Sequence, residues 1–202
     1  MPEVETVRRT LTPLVAGKTI KKVEVWYDKI IAGDARAFAQ KLAGKQILRV
    51  DRYGKFLLFR LSDNLTLVSH LRMEGKYRLL APQAAVGKHD HVQFAFTDGT
   101  ALRYSDVRKF GRMQLVETGT EREQTGIGKL GVEPNSPEFT RDFLCRALAK
   151  KSKKIKNLLL DQSVVCGLGN ISLQKWWKWF MPLFGLIFLS QVIFVSIANV
   201  IF

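Results

Sequence analysis

Residues 92–104 constrain the fold more than any other stretch. Two strand-like runs, 92–96 and 101–104, are joined by Thr97-Asp98-Gly99-Thr100, and Asp-Gly between alternating runs is the signature of a tight antiparallel hairpin. Strand character recurs at 19–27, 46–53, 56–61 and 65–71, and again at 112–117. A short helical pattern, with Val4, Val7 and Leu11 on one face and Pro13 and Gly17 closing it, leads into these runs, and 34–42 reads as a second short helix. Residues 2–117 are therefore expected to form a β-rich domain, a sandwich or a barrel, with a leading helix. A Gly-rich, charged linker at 118–134 follows. Beyond it the pattern turns helical, with one segment from Ser136-Pro137-Glu138 to Lys150 and another at 153–161. The whole reads as an α+β chain.

Charge narrows the partner. The 202 residues hold 32 Lys and Arg against 18 Asp and Glu, a formal charge of +14, while 47% of the residues are hydrophobic. Such a chain buries a core and is no disordered polycation. A field of this sign suits nucleic acid or an anionic membrane surface better than small acidic metabolites. The two cysteines, Cys145 and Cys166, form no CxxC pair, which argues against a disulfide-dense secreted domain and against a cysteine zinc finger. Glu3, Glu5, Arg8 and Arg9 interrupt any apolar run, so no N-terminal signal peptide is expected.

The N-terminus is the sharpest chemical candidate. Removal of the initiator Met before small Pro2 leaves a secondary amine able to attack a sugar C1′ and form an iminium, the electron sink an elimination needs. Glu3 stands beside it as a proton donor or acceptor. Pro2 also reads simply as a good first helical residue. Lys55 opens an apolar run and suits either a phosphate contact, an assist to elimination, or a snorkelling edge position. Met73, Arg108 and Phe110 lie in clusters that put large side chains next to cations, as a protein that fills the gap left by a displaced base requires; taken singly, Met73 and Phe110 read as core. His89 and His91 would share a strand face, as a metal pair or, better, as phosphate contacts. The lysines from Lys150 to Lys156 form a basic run. In Gln162–Asn170 two glycines and an Asn suit close approach to phosphate, or a plain helical corner.

Together these stretches resemble the bacterial formamidopyrimidine-DNA glycosylases. The resemblance runs from Pro2 to Ile171. It is carried by Pro-Glu-Val-Glu-Thr-Val-Arg-Arg (2–9), Gly-Lys-Phe-Leu-Leu (54–58), His-Leu-Arg-Met-Glu-Gly (70–75) and Lys-His-Asp-His-Val (88–92). Leu-Arg-Tyr-Ser-Asp-Val-Arg-Lys-Phe-Gly (102–111), Leu-Gly-Val-Glu-Pro (130–134) and Leu-Leu-Leu-Asp-Gln-Ser-Val-Val-Cys-Gly-Leu-Gly-Asn-Ile (158–171) continue it in the family's order. It implies an N-terminal β-sandwich catalytic domain at 2–117 and a partial helix–two-turns–helix DNA-binding domain at 135–171. It also implies excision of oxidised purines such as 8-oxoguanine and formamidopyrimidines from double-stranded DNA, in base-excision repair, with AP lyase cleavage of the strand. In that chemistry Pro2 is the nucleophile, Glu3 a proton donor and Lys55 the proton donor in β-elimination. Met73, Arg108 and Phe110 match the void-filling triad, and His89, Lys151 and Asn170 match phosphate contacts. A cytoplasmic, nucleoid-associated monomer is the implied form.

Three departures accompany the resemblance. With Val4-Glu5-Thr6 aligned to the family's Val-Glu-Thr, Pro2 and Glu3 fall on the family's second Pro-Glu, so its first Pro-Glu-Leu is expected to be missing. After Ile171 the match stops, so the four-cysteine zinc finger is expected to be absent, the zinc to lack ligands, and no metal or other cofactor to be held. Residues 172–202 carry only Lys175 and Lys178 as charges, include Trp176, Trp177 and Trp179, and end in the uncharged run 181–202. At about 1.5 Å per helical residue that run reaches across a bilayer core of about 30 Å. It reads as a membrane anchor, a frameshift scar or a buried core helix. The alternative function is accordingly a truncated, catalytically impaired DNA-binding remnant, with membrane tethering as a further variant.

Overall fold

The computed structural model describes residues 2–149 and 155–169, and the chain divides into two compact units, Glu3–Gly128 and a second beginning at Lys129. The first is a β-sandwich. Eight strands, β1 (Ile20–Val25), β2 (Ile47–Tyr53), β3 (Phe56–Leu61), β4 (Leu65–His70), β5 (Lys76–Leu80), β6 (Asp90–Phe96), β7 (Ala101–Ser105) and β8 (Arg112–Glu117), make two antiparallel four-stranded sheets ordered β1-β6-β7-β5 and β2-β3-β4-β8. The hairpin expected at 92–104 forms, with Phe94 opposite Leu102, Ala95 opposite Ala101 and Gly99 at φ +77°. β5 is an element that the sequence pattern does not announce; it pairs with β7, Tyr77 opposite Tyr104.

The sheets face each other across a core that includes Val50, Leu57, Phe59, Leu67, Phe94, Leu102 and Met113. The leading helix α1 (Pro2–Val15) buries Leu11 and Val15 against it, and α2 (Ala35–Leu42) adds Phe38 and Leu42. Pro13 lies inside α1 rather than ending it; the helix runs on to Val15, and the reversal falls at Gly17, φ +81°. Asp34 caps α2 by accepting from the Ala37 N–H at 2.6 Å. The stretch read as linker contains α3 (Glu121–Gln124), whose Glu121 is buried and ion-paired to Arg60.

The second unit contains α4 (Arg141–Ala149) and α5 (Ile155–Leu160). The expected start of α4 at Ser136 is corrected by five residues: the Thr140 hydroxyl accepts from the Phe143 N–H at 3.1 Å, so Thr140 does the capping. Among the described residues no helix is long and apolar enough to cross a membrane. The tail at 172–202, with its anchor, scar and core-helix readings, lies outside the described residues.

Candidate active site

Chain topology gathers the sandwich's candidate residues at one end. The segment from β4 to β5 and the segment from β7 to β8 both cross between the sheets, in opposite senses. Their feet are neighbours: His70 pairs with Arg112 in one sheet, and Lys76 with Ser105 in the other. The first crossover carries Met73 and the second Arg108 and Phe110. The two-residue β2–β3 turn, Gly54-Lys55, lies at the same end because Phe56 pairs with His70. His89 is there too, its carbonyl accepting from the Asp106 N–H at 3.0 Å. Lys55 thus occupies a turn rather than a strand edge, and Gly54 supplies that turn's φ of +55°.

Met73 and Phe110 are not core. They are 73% and 51% exposed, a large cost in water for side chains of this kind unless something covers them in use. Arg108 connects them: its guanidinium donates to Met73 Sδ at 3.3 Å and lies 5.0 Å from the centre of the Phe110 ring. The pairing of His89 with His91 on one strand face is also corrected. His91 is buried in β6 and its Nε2 lies 2.7 Å from the Asp106 carbonyl, whereas His89 sits in the turn before the strand. Arg103, wholly buried, holds that approach in place by donating to the carbonyls of Ala84 and Ala85 and to Gln93 and Asp90.

Electrostatics at this end lower the basicity of Lys55 and His70. Burial lowers the pKa of the Lys55 amine, and the Glu3 carboxylate partly restores it. His70 is pushed down to about 4, by burial first and then by the charges of Arg72 and Lys55. It is therefore a neutral imidazole at pH 7, with its Nδ1 accepting from the Arg72 N–H at 2.9 Å and its ring edge-on to Phe56. Sequence pattern alone assigns His70 no role; only pairing to β3 reveals that it borders Lys55. Behind them, Glu5 on α1 takes hydrogen bonds from Arg8 at 2.7 Å, Arg9 at 2.8 Å and Arg52 at 3.1 Å, which hold its carboxyl far below the usual carboxylate range. Glu5, Arg8, Asp51, Arg52, Tyr53, Leu58 and Arg60 line an open cleft of about 400 Å³. Both of its carboxylates are paired within the cleft, since Arg60 bonds Asp51 at 2.9 Å.

Pro2 opens α1 immediately before Glu3. Lys151 and Asn170 lie outside the described residues. In the helical unit the turn that leads towards Asn170 is built around Gln162, whose amide donates to the carbonyls of Leu160 and Leu168 and whose oxygen accepts from the Gly167 N–H. Val164, Val165 and Leu168 are buried there, and Gly167 adopts φ +90°. The residues present do not fit a structural zinc of four cysteines. The chain has two, Cys145 exposed and Cys166 buried, and the described residues contain no cluster of three metal-ligating side chains.

The architecture is a β-sandwich with Lys55 and exposed apolar side chains at one end, followed by a helical unit, and comparison with known proteins gives the family. The model for the formamidopyrimidine-DNA glycosylase N-terminal domain matches residues 1–113, and that for the formamidopyrimidine-DNA glycosylase H2TH domain matches 130–175. This chain belongs to the formamidopyrimidine-DNA glycosylase family. It is 65% identical over 179 residues to the formamidopyrimidine-DNA glycosylase of Lactobacillus gasseri, covering 88% of this chain and 65% of that protein. With the Lactobacillus johnsonii enzyme of the same name it shares 67% identity over 171 residues, covering 85% and 62%. Among solved structures it is similar to Lactococcus lactis Fpg in complex with abasic-site DNA and with FAPY-dG DNA. Each gives a TM-score of 0.79 and 42% identity over 85% of this chain and 64% of that one. The chain thus spans less than two thirds of the length of these relatives.

Proposed function

We propose that this chain is a base-excision-repair DNA glycosylase and AP lyase acting on oxidised purines in duplex DNA. One observation carries the proposal: Glu3, Lys55, Met73, Arg108 and Phe110, spread over a hundred residues of sequence, belong to elements that meet at one end of the sandwich. Membership of the family and the DNA-bound state of its similar structures support it.

In this reading Met73, Arg108 and Phe110 fill the gap left when the damaged nucleotide leaves the stack. The Pro2 nitrogen attacks C1′ and the glycosidic bond breaks. The base departs with the proton that the nitrogen gives up; the C1′–O4′ bond then opens, O4′ taking a proton from Glu3, as the nitrogen lone pair completes an iminium. Loss of the C2′ proton then sends an electron pair to expel the 3′ phosphate. Lys55, its charge weakened by burial yet sustained by Glu3, handles a proton in this elimination. His89, Lys151 and Asn170 hold phosphates. The nucleophile is the chain's own amine, so the steps assigned to Pro2, Glu3 and Lys55 use no cofactor. A cytoplasmic, nucleoid-associated monomer goes with this reading.

Borohydride trapping on a duplex with 8-oxoguanine opposite cytosine tests the proposal, alongside an abasic-site duplex and a Pro2→Gly variant. An adduct mapped to the Pro2 nitrogen and lost in the variant is the expected result. An adduct with the abasic site alone means lyase chemistry without excision. Binding without any adduct leaves a DNA-binding remnant.

A further inference from the structure

We propose that the Tyr104 hydroxyl, with the Asp106 carboxylate beside it, is a positioning device that locks the 71–75 and 106–111 crossovers into one register, so that Met73, Arg108 and Phe110 act as a single wedge. The wedge itself rests on the function proposed above; the locking does not.

Tyr104 is fully buried near the end of β7, its ring packed on Tyr77 at 5.2 Å between centres. Its hydroxyl donates to Asp106 Oδ2 at 3.4 Å. Asp106, 1% exposed, organises the second crossover around itself. Its Oδ2 accepts from the Gly111 N–H at 2.8 Å, its Oδ1 from the Arg108 N–H at 3.0 Å, and its carbonyl lies 2.7 Å from His91 Nε2. Burial raises the Tyr104 phenol well above its ordinary pKa, so it remains a donor at any working pH.

The link to the first crossover is steric. A Cβ built on Gly111 would overlap the Tyr104 hydroxyl and stand 2.8 Å from Cζ; one built on Gly75 would overlap the same hydroxyl and stand 2.6 Å from the Leu71 carbonyl. Neither glycine has a positive φ. Their missing side chains are thus demanded by space, and the Tyr104 hydroxyl takes part of that space in both cases, joined at Gly75 by the Leu71 backbone. Each crossover also holds a non-glycine residue in the left-handed region directly before its wedge: Arg72 at φ +55° before Met73, and Lys109 at φ +59° before Phe110. Side chains rarely adopt that conformation, and it persists only where the surroundings over-determine it. Asp106 is that surrounding for Lys109, bonding the amides of Arg108 and Gly111 on either side of it, while the Arg72 N–H is held by His70 Nδ1 and the first crossover meets the Tyr104 hydroxyl at Gly75.

Tyr104→Phe deletes one oxygen and keeps the ring. In the free chain, amide exchange at both Gly75 and Gly111 is expected to quicken together, by about tenfold or more, while β3 amides keep their protection. Gly111→Ala, which pushes on the hydroxyl from one loop, is expected to quicken exchange at Gly75 on the other. Unchanged exchange at Gly75 in both variants overturns the locking. Affinity for an abasic-site duplex then reads the wedge. Met73→Ala and Phe110→Ala are expected to combine non-additively by at least about threefold in the unmodified chain, and additively in the Tyr104→Phe background. Additivity in both backgrounds overturns the single-wedge assignment. A chain that binds no duplex at all defeats the proposed function, while the exchange data still decide the locking.

Discussion

Arg52 joins Glu5, on the helix that opens the chain, to the turn that carries Lys55: its Nε donates to the Glu5 carboxylate at 3.1 Å and its Nη1 to the Gly54 carbonyl at 3.0 Å. Two elements remote in sequence are thereby held by one rigid fork, and a planar guanidinium suits that task better than an ammonium. Arg52→Ala is expected to cost about 2 kcal/mol, the range of charge-assisted hydrogen bonds in a partly buried setting. It should reduce borohydride trapping far more, because small displacements of reacting groups cost orders of magnitude in rate. Urea denaturation and trapping on the same protein check this; equal loss in Arg52→Lys and Arg52→Ala is expected for the trapping readout.

His70 makes stability depend on pH. Between its ordinary value of 6.5 and its folded value of about 4, the unfolded chain binds a proton that the folded chain refuses. The unfolded state then holds more protons, so stability falls as pH drops through this window and His70 adds no further loss below it. Urea midpoints at pH 7, 5.5 and 4 should drop less steeply in His70→Gln than in the unmodified chain. Parallel profiles would contradict the burial of a neutral imidazole.

Glu3 is the carboxylate that opposes the burial of Lys55. Glu3→Gln is expected to lower the Lys55 pKa further, since removing a nearby negative charge disfavours the ammonium form. Titration of the Lys55 side-chain resonances in both proteins measures this directly, and an unchanged or raised value would separate the two groups.

Arg103 is a fully buried charge with hydrogen bonds to four residues. Arg103→Leu leaves Gln93 Oε1 and the Ala84 and Ala85 carbonyls without this donor, although Asp90 keeps Arg78 and Ser105. Breaking a buried, hydrogen-bonded charge in this way is expected to cost about 3–5 kcal/mol. A urea denaturation curve tests it, and a loss below about 1 kcal/mol would show that the network relaxes around the gap.

Much of this molecule is written locally. The Asp-Gly turn, the strand runs from 46 to 71, the capped α2 and the ordered motifs of the glycosylase family are all patterns of neighbours, set by backbone sterics and by alternation of polar and apolar side chains. Pro2, Glu3 and Lys55 enter as candidates in the same way, through residue type and motif. What the tertiary structure decided concerns partners far apart in the chain. β5 carries Lys76 and Arg78 among its five residues and becomes a strand only because β7 offers its edge. Met73 and Phe110, apolar by composition, are exposed because two crossovers leave the sheets side by side, a matter of strand order. His70 stays neutral because the fold buries it and sets it beside Arg72 and Lys55, and one buried hydroxyl crowds glycines of two loops at once. Local preference is a property of adjacent residues; burial, pKa and exposure are properties of whatever the fold brings alongside, and no stretch of sequence contains that by itself.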